Sequence, residues 1–306
     1  MKIFYSDTFP IPLPPDHRFP GDKYRLLRES IAEDGLVTDP ELLVPDPASD
    51  ADILLVHHQD YLDRVITGSL SEKEVRRIGF PWSPQLVERS RRSVGGSIAA
   101  CRAALEDGIG VNLAGGTHHA HPGYGSGYCL LNDCAVAARV IQNEALAERV
   151  VILDCDVHQG DGTAVIFSRD PNVFTFSIHG ARNFPFHKQA SDLDLELEDG
   201  TSDQAYLQAL EKGLEETFSR FEPDLAIYLA GADVYQDDRL GRLALTKEGI
   251  AARDEIVFQN SQRFGLPTAV VMAGGYAREI TDSVDIHLNT VRLASKTAAI
   301  FQKIYA

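Results

Sequence analysis

The chain has 306 residues, of which 44% are hydrophobic, and a formal net charge of −16 at pH 7. This length and apolar content suffice for one sizeable core, and no linker or low-complexity segment divides the chain, which predicts a single domain over residues 1–306. The strongly acidic balance would repel phosphate backbones, so direct nucleic-acid binding is not expected.

The cysteines and the apolar runs indicate the cellular compartment in which we expect the protein. The four cysteines lack the CxxC spacing of metal and redox motifs and the density of a disulfide framework; they are Cys101, Cys129, Cys134 and Cys155. The first residues lack the apolar core of a signal peptide, and no apolar run approaches the roughly 18 residues of a membrane span. We therefore expect a reduced, cytoplasmic protein without a membrane span.

Short apolar runs rich in β-branched residues alternate with longer amphipathic patterns. The runs predict buried parallel strands at residues 2–5, 53–56, 111–113, 150–153, 173–178, 225–229 and 269–272. The patterns predict helices at residues 84–105, 133–146, 203–221, 246–264 and 281–304, and Ser83, Asn132 and Thr246 are good N-cap residues at three of their starts. The alternation predicts an α/β fold with a mostly parallel sheet and helices on both faces. The prolines between positions 10 and 20 predict an ordered arm or rim loop.

Polar residues follow five of the predicted strands, where each strand ends. They are His118 and His119 after the third strand, positions 154–161 after the fourth, His179 after the fifth, Asp233 after the sixth and Tyr276 after the seventh. Ligands of open parallel sheets bind beyond the carboxyl ends of the strands. We therefore expect these residues to converge on one site.

Acidic residues and a histidine alternate after the fourth strand. Because alternate side chains of an extended chain share a face, Asp154, Asp156 and His158 are expected to point the same way. Asp156, His158 and Asp233 offer one nitrogen and two carboxylate ligands and leave coordination positions open, as a catalytic zinc requires. Such a metal would activate water for hydrolysis.

Neighbouring side chains supply the other groups that a hydrolysis needs. His118 and His119 are candidates for the base that activates water and for the donor to the leaving group. Asp154 and Asp161 could each accept a hydrogen bond from one of these histidines. Tyr276 could donate its hydroxyl to a developing oxyanion, or it could be an apolar aromatic of the rim, and the residues alone favour neither.

Five runs together resemble the zinc-dependent histone deacetylase superfamily and occur in the same order. They are GGTHH at 115–119, SGYCLLND at 126–133, LDCDVHQGDG at 153–162, GAD at 231–233 and GGY at 274–276. The run DRLGRL at 238–243 most resembles class IV, the histone deacetylase 11-like group with its bacterial relatives. The resemblance covers nearly the whole chain and implies one catalytic domain with the arginase/deacetylase-like fold.

The resemblance assigns a role to each matching residue. Asp156, His158 and Asp233 match the zinc ligands. The matches for the chemistry are His119 as general base and acid, His118 as the histidine that positions water, Asp154 and Asp161 as their partners, and Tyr276 as the transition-state tyrosine. In the substrate tunnel, Tyr128 matches an aromatic wall, Gly127 a glycine whose carbonyl contacts the substrate amide, and Leu240 a hydrophobic residue of the rim.

The resemblance also implies cofactors. The metal would be zinc, with ferrous iron possible in vivo. An inner potassium site next to it would use Asp154, Asp156, His158, Ser177 and Ile178, and an outer one would use Phe167, Asp170 and Val173.

Three segments depart from the family pattern. The sequence does not decide which residue forms the second wall of the tunnel, because either Asn183 or Phe184 could occupy that position. Asp161 is acidic where class IV members often carry asparagine, which could make the histidine beside it a stronger base. His121 and Tyr124 could line the entrance, but surface loop positions are the favoured interpretation.

The leading hypothesis is a zinc amidohydrolase that removes acetyl or longer fatty acyl groups from lysine side chains of a protein or peptide. The alternatives are a deacetylase of acetylpolyamines or other small N-acyl amines, and a non-catalytic protein that binds acyl-lysine. A dimanganese ureohydrolase would need acids spaced D-x-D at a later strand end, which the run DVYQDD at 233–238 lacks. No insertion of the kind that dimerises polyamine amidohydrolases precedes residue 84, which slightly favours a monomer.

Overall fold

The computed structural model describes residues 1–36 and 42–305, with side chains up to residue 301. Within these residues, eight strands form one sheet in the order β2-β1-β3-β8-β7-β4-β5-β6, and every neighbouring pair is parallel. The strands are β1 (Lys2–Phe4), β2 (Leu42–Leu43), β3 (Ile109–Asn112), β4 (Val150–Asp154), β5 (Val173–Gly180), β6 (Leu193–Leu197), β7 (Leu225–Leu229) and β8 (Thr268–Val271). The predicted α/β fold is confirmed.

Helices cover both faces of the sheet. They are α1 (Lys23–Glu33), α2 (Asp50–Ile53), α3 (Gln59–Thr67), α4 (Glu72–Ile78), α5 (Pro84–Asp107), α6 (Asp133–Asn143), α7 (Asp161–Phe167), α8 (Asp203–Arg220), α9 (Lys247–Phe264) and α10 (Ile280–Tyr305). Alternate residues of β4 face opposite sides of the sheet. Val151 and Leu153 belong to the hydrophobic cluster that includes residues of α8, α9 and α10, and Val150 and Ile152 belong to the cluster that includes residues of α5 and α6. None of the helices in the described part of the chain has the length and apolar composition needed to cross a membrane.

The predicted strand at 53–56 is wrong. Ser49 caps the short helix α2 with a capping box: the Asp52 amide donates to Ser49 Oγ at 3.1 Å, and the Ser49 amide donates to the Asp52 carboxylate at 3.0 Å. Ile53 ends that helix, and the apolar residues after it form a turn. A short apolar run has the same composition whether it is a strand or a buried turn, so periodicity could not separate the two.

The other predicted strands agree within two residues, and the predicted helices within three. The strands β2 and β6 and the helices α1 to α4 and α7 were not predicted. Since β3, β8, β7 and β4 are consecutive in the sheet, the loops that follow them meet at one edge. These four loops carry the candidate site.

Candidate active site

The loop after β4 holds the first two candidate ligands. The backbone amide of His158 donates to Asp156 Oδ1 at 2.9 Å, and the amide of Gly274 donates to Asp156 Oδ2 at 2.8 Å. The strand ends at Asp154, and the Asp154 carboxylate meets His118. Beyond Asp154 the chain is no longer extended, so strand alternation does not set the directions of Asp156 and His158.

Three ligand atoms converge where the loops after β4 and β7 meet. Candidate ligand atoms of Asp156, His158 and Asp233 all lie within 4.8 Å of one another. His158 Nδ1 lies 2.9 Å from Asp156 Oδ1 and 3.2 Å from Asp233 Oδ2. The buried Asp233 Oδ2 accepts no hydrogen bond from any described residue, and an unsatisfied buried carboxylate oxygen is costly unless a cation meets it. One imidazole and two carboxylates therefore fit a divalent metal with open coordination positions.

The charges of the cluster also suit a cation. Burial raises the pKa of Asp233 to about 7, and the Asp156 carboxylate adds to this effect. Burial alone would lower the pKa of His158, but its hydrogen bond to Asp156 and the adjacent Asp233 carboxylate raise it to about 10. Without a metal the cluster therefore retains protons, and metal binding would release them. A Cβ at Gly274 would lie 1.9 Å from Asp233 Oδ2, so this close approach requires glycine.

Two buried histidine–aspartate pairs stand beside the cluster. His118 Nδ1 lies 2.6 Å from Asp154 Oδ2, and His119 Nδ1 lies 2.6 Å from Asp161 Oδ1. Burial opposes charge on His118, but Asp154 and Asp156 overcome it and raise the pKa to about 9. Burial and the neighbouring His118 lower the pKa of His119 to about 4. The two adjacent rings therefore hold different protonation states near pH 7.

His121 is a third histidine of this arrangement, and the favoured interpretation of it as a surface loop residue is wrong. It is buried, its Nε2 lies 3.1 Å from Asp161 Oδ2, and its ring stacks on Tyr124 with 4.4 Å between centroids. Burial would raise the pKa of Asp161, but hydrogen bonds from His119 and His121 lower it. The acidic residue at 161 was the available signal, because it can accept from two histidines at once.

A cavity of about 310 Å³ brings most of the predicted residues together. Its lining includes His118, His119, Gly127, Tyr128, Asp156, His158, Asp233, Leu240 and Tyr276. The Phe184 ring lies edge-on to the His119 ring, with 4.8 Å between their centroids, and it forms a wall of this cavity. Asn183 also lines the cavity, but its side-chain amide donates to the Leu240 carbonyl at 2.7 Å. Of the two residues between which the sequence did not decide, Phe184 is therefore the one that forms the aromatic wall.

Tyr276 lies on the loop after β8 with its ring in the cavity. Its backbone amide donates to Asp238 Oδ2 at 2.6 Å, and its ring centroid lies 6.0 Å from that of Tyr128. Burial raises the pKa of Tyr276 well above its ordinary value, so the hydroxyl keeps its proton. The buried Lys23 Nζ donates to the Ala273 and Gly275 carbonyls, each at 3.3 Å, and so holds this loop in place.

Arg253 is a buried residue of the site that the sequence did not reveal. Its Nη1 donates to the Gly231 carbonyl at 2.5 Å and to the Cys155 carbonyl at 3.2 Å. Its Nη2 lies 2.8 Å from Asp254 Oδ1, which balances the charge. One guanidinium on α9 thus bridges the two loops that carry the candidate metal ligands.

Of the residues predicted for the potassium sites, Asp156 and His158 line the cavity, and the other six do not. Asp154 at the end of β4 pairs in register with Ser177 of β5, and Ser177 Oγ lies 2.9 Å from His179 Nδ1. The outer set, Phe167, Asp170 and Val173, lies at the opposite end of β5, between α7 and the start of the strand. There the Asp170 carboxylate forms an ion pair with Arg139.

The sheet and the cluster at the strand ends define the class of protein as arginase/deacetylase-like, and comparisons with known proteins give the family. Residues 17–291 match the family described as "Histone deacetylase domain". The chain is 48% identical over 285 residues to an uncharacterized protein of Picosynechococcus sp., covering 93% of this chain and 95% of that one. It is 30% identical over 302 residues to histone deacetylase 2 of Arabidopsis thaliana, covering 93% and 78%. The chain belongs to the histone deacetylase family.

Solved structures agree with the fold. The crystal structure of an HDAC homologue complexed with SAHA superposes with a TM-score of 0.84 at 23% identity, covering 99% of this chain and 88% of that chain. The family match confirms the predicted histone deacetylase superfamily, and the chain carries a deacetylase domain of this family. The class within the family and the substrate belong to the proposal that follows.

Proposed function

We propose that residues 1–306 form one zinc-dependent amidohydrolase domain that removes acyl groups, acetyl or longer, from lysine side chains. The observation that carries this proposal is the shared cavity. The Asp156, His158 and Asp233 cluster, the histidines of the two histidine–aspartate pairs and Tyr276 all line it. A metal ligand set alone would fit many proteins, but its combination with a neutral histidine and a protonated tyrosine fits amide hydrolysis.

Asp156, His158 and Asp233 would hold the metal, which when bound supplies a Lewis acid for the amide carbonyl and lowers the pKa of water. His119 Nδ1 is occupied by Asp161, which leaves Nε2 as the ring nitrogen that can take a proton from water. Since the pKa of His119 lies at about 4, Nε2 is free to accept at neutral pH. The same nitrogen then returns the proton to the departing amine.

Four further side chains stabilise or orient the reacting groups. The Tyr276 hydroxyl, which keeps its proton, donates to the developing oxyanion. His118, held by Asp154 at 2.6 Å, orients the water and adds positive charge beside it. Tyr128 and Phe184 flank the methylene chain of the lysine, because both rings line the cavity.

The rest of the substrate path follows from the same cavity. The Gly127 carbonyl accepts the amide N–H of the substrate, and Leu240 contacts the substrate at the rim. We also infer an inner potassium ion at Asp154, Asp156, His158, Ser177 and Ile178, and an outer one at Phe167, Asp170 and Val173. Ferrous iron fits the same nitrogen and carboxylate ligands as zinc.

Class IV membership, a monomer and a cytoplasmic location complete the proposal. The run DRLGRL at 238–243 supports the class. All four cysteines are buried and unpaired, as expected in a reducing compartment.

The test is turnover of one lysine peptide carrying acetyl, octanoyl or myristoyl groups by the zinc-loaded protein, with Asp233→Ala as control. We expect hydrolysis by the wild type and none by the variant, and the chain-length profile reports the depth of the tunnel. If small acetylated amines such as polyamines are hydrolysed and no acyl-lysine is, the substrate class is wrong. If ligands bind and nothing is hydrolysed, the enzyme proposal itself is wrong.

A further inference from the structure

The two histidine–aspartate pairs of the active site differ in what holds the second oxygen of each carboxylate. Asp154 gives Oδ2 to His118, and its Oδ1 accepts the backbone amide of the residue two positions later at 3.1 Å. Asp161 gives Oδ1 to His119, and its Oδ2 lies 3.1 Å from Nε2 of His121. Among the described residues, no backbone amide donates to the Asp161 carboxylate. A side chain therefore does for Asp161 what a backbone amide does for Asp154.

Neighbouring groups fix the position of the His121 ring. Its backbone amide donates to the Tyr124 carbonyl at 2.9 Å, and its ring stacks on the Tyr124 ring with 17° between the ring planes. The Arg77 guanidinium in turn packs on the Tyr124 ring, 4.6 Å from Cζ to the centroid. The His121 carbonyl accepts from Nδ1 of His57 at 3.1 Å. These contacts anchor both the backbone and the ring of His121, so its Nε2 is held toward Asp161.

The contact between His121 and Asp161 has a defined polarity. A carboxylate only accepts hydrogen bonds, so Nε2 of His121 carries a proton and donates it. By the same reasoning, Nδ1 of His119 donates to the other oxygen. The two bonds lower the pKa of Asp161 although its burial would raise it, so the carboxyl group stays ionised. Asp161 is thus one charged acceptor shared by two histidines.

His121 can influence the reaction only through Asp161. It does not line the catalytic cavity, whereas His119 does. The last torsion of an aspartate side chain is soft, so a carboxylate that is held at one oxygen only turns easily. Without a donor at Oδ2, the Asp161 carboxylate would be free to turn away from His119. The His119 ring would then lose the contact that directs its Nε2 toward the reacting water.

We propose that His121 is a positioning residue for amide hydrolysis: it holds the Asp161 carboxylate in the orientation in which that carboxylate holds His119. This inference rests on the proposed function, in which His119 takes a proton from water and returns it to the departing amine. The inference adds no chemical step, because His121 keeps its own proton throughout.

The first experiment separates the donor of His121 from the shape of its ring. His121→Phe keeps a flat ring that can stack on Tyr124 but removes the donor. His121→Gln places an amide N–H near the position of Nε2 and so keeps the donor. With zinc-loaded protein and an acetyl-lysine peptide, we expect His121→Phe to lower kcat about tenfold or more and to leave KM within about twofold of wild type. In His121→Gln, kcat should return to within about threefold of wild type.

Two more variants test whether packing accounts for a loss of kcat. His121→Asn is polar, but its amide is one carbon shorter than that of His121→Gln and ends short of the Nε2 position, so kcat should fall as in His121→Phe. Tyr124→Phe keeps the ring on which His121 stacks and should keep the wild-type kcat. Equal losses in His121→Phe and His121→Gln, or no loss in His121→Phe, would overturn the proposal.

The second experiment observes the two histidine–aspartate hydrogen bonds by proton NMR of the zinc-loaded protein. His118 and His119 each donate from Nδ1 to a carboxylate at 2.6 Å, so each should give a downfield signal that exchanges slowly with water. The variant His119→Ala assigns the second signal. In His121→Phe we expect the His119 signal to move upfield or to be lost by exchange, and in His121→Gln to return. The His118 signal should stay in both, because a backbone amide holds its aspartate.

The NMR result does not depend on turnover. If the wild type hydrolyses no acyl-lysine, the proposed function fails, and the His119 signal still decides whether His121 holds the Asp161 carboxylate. An unchanged His119 signal in His121→Phe refutes the positioning role. Loss of the His118 signal in the same variant refutes it as well, because the substitution would then disturb the whole site and not one carboxylate.

Discussion

His57 provides a prediction about stability that follows from its hydrogen bonds. It is buried, and its Nε2 accepts the Asn132 backbone amide at 2.9 Å. Its Nδ1 lies 3.1 Å from the His121 carbonyl oxygen, so Nδ1 must carry the proton. The ring is therefore neutral, and a second proton on Nε2 would place two donors against each other. Burial lowers the pKa of His57 from its ordinary 6.5 to about 4.

The sign and size of the effect on stability follow from the difference between the two pKa values, 6.5 in the unfolded chain and about 4 in the folded one. Above pH 6.5 neither the folded nor the unfolded chain protonates His57, so its full contribution is present. Between pH 6.5 and about 4 only the unfolded chain takes the proton, so stability falls as the pH falls. At about 1.4 kcal/mol for each pH unit, the interval is worth about 3 kcal/mol.

The assay is urea unfolding of wild type and His57→Gln at pH 7 and at about pH 4. Glutamine donates and accepts as the neutral imidazole does but does not titrate. We expect the wild type to lose about 3 kcal/mol more than the variant between the two pH values. His187→Gln, which removes an exposed histidine, should behave as the wild type does. Equal acid losses in wild type and His57→Gln would refute the assigned tautomer and its cost.

Three further substitutions test other parts of the molecule. Gly95→Ala places a Cβ 1.8 Å from the Asp46 carbonyl oxygen and should destabilise the fold by about 1–3 kcal/mol in urea unfolding. Tyr276→Phe removes the proposed oxyanion donor and should lower kcat on acetyl-lysine by about 100-fold with little change in KM. Arg253→Met releases the Gly231 carbonyl and should weaken zinc binding about tenfold or more in competition with a chelator.

Each has a matched control. Gly21→Ala, where no described atom beyond the two chain neighbours lies within 4 Å of the added Cβ, should leave stability within about 0.5 kcal/mol of wild type. Tyr5 does not line the catalytic cavity, so Tyr5→Phe should keep full kcat. Arg292→Met removes an arginine paired with Asp34 on the surface and should not change zinc affinity. If a variant gives the same result as its control, the role that we assign to the substituted residue is contradicted.

The sheet was predictable because buried parallel strands are continuous apolar runs that differ from amphipathic helices. The edge strand β6 was missed although Leu193, Leu195 and Leu197 alternate with acidic residues, a pattern typical of a half-exposed strand. The error at 53–56 was also avoidable, since Ser49 followed three residues later by Asp52 is a helix-start signal.

The site was predictable where its residues form local patterns and not where they act alone. The ligands and paired histidines occur in short runs at strand ends, so topology brought them together. Arg253 meets the Cys155 carbonyl across 98 positions of sequence, and His57 meets the Asn132 amide across 75. Because these partners are far apart in sequence, only the folded chain shows what the two residues hold in place.

The central claim is that one metal ion at Asp156, His158 and Asp233 drives amide hydrolysis. The most direct measurement is a zinc titration of the metal-free protein, with turnover of an acetyl-lysine peptide followed at each addition. We predict activity that rises linearly and reaches its plateau at one zinc for each chain, and no rise at all in Asp233→Ala. A plateau at two metals for each chain, or turnover that persists without metal, would contradict the account.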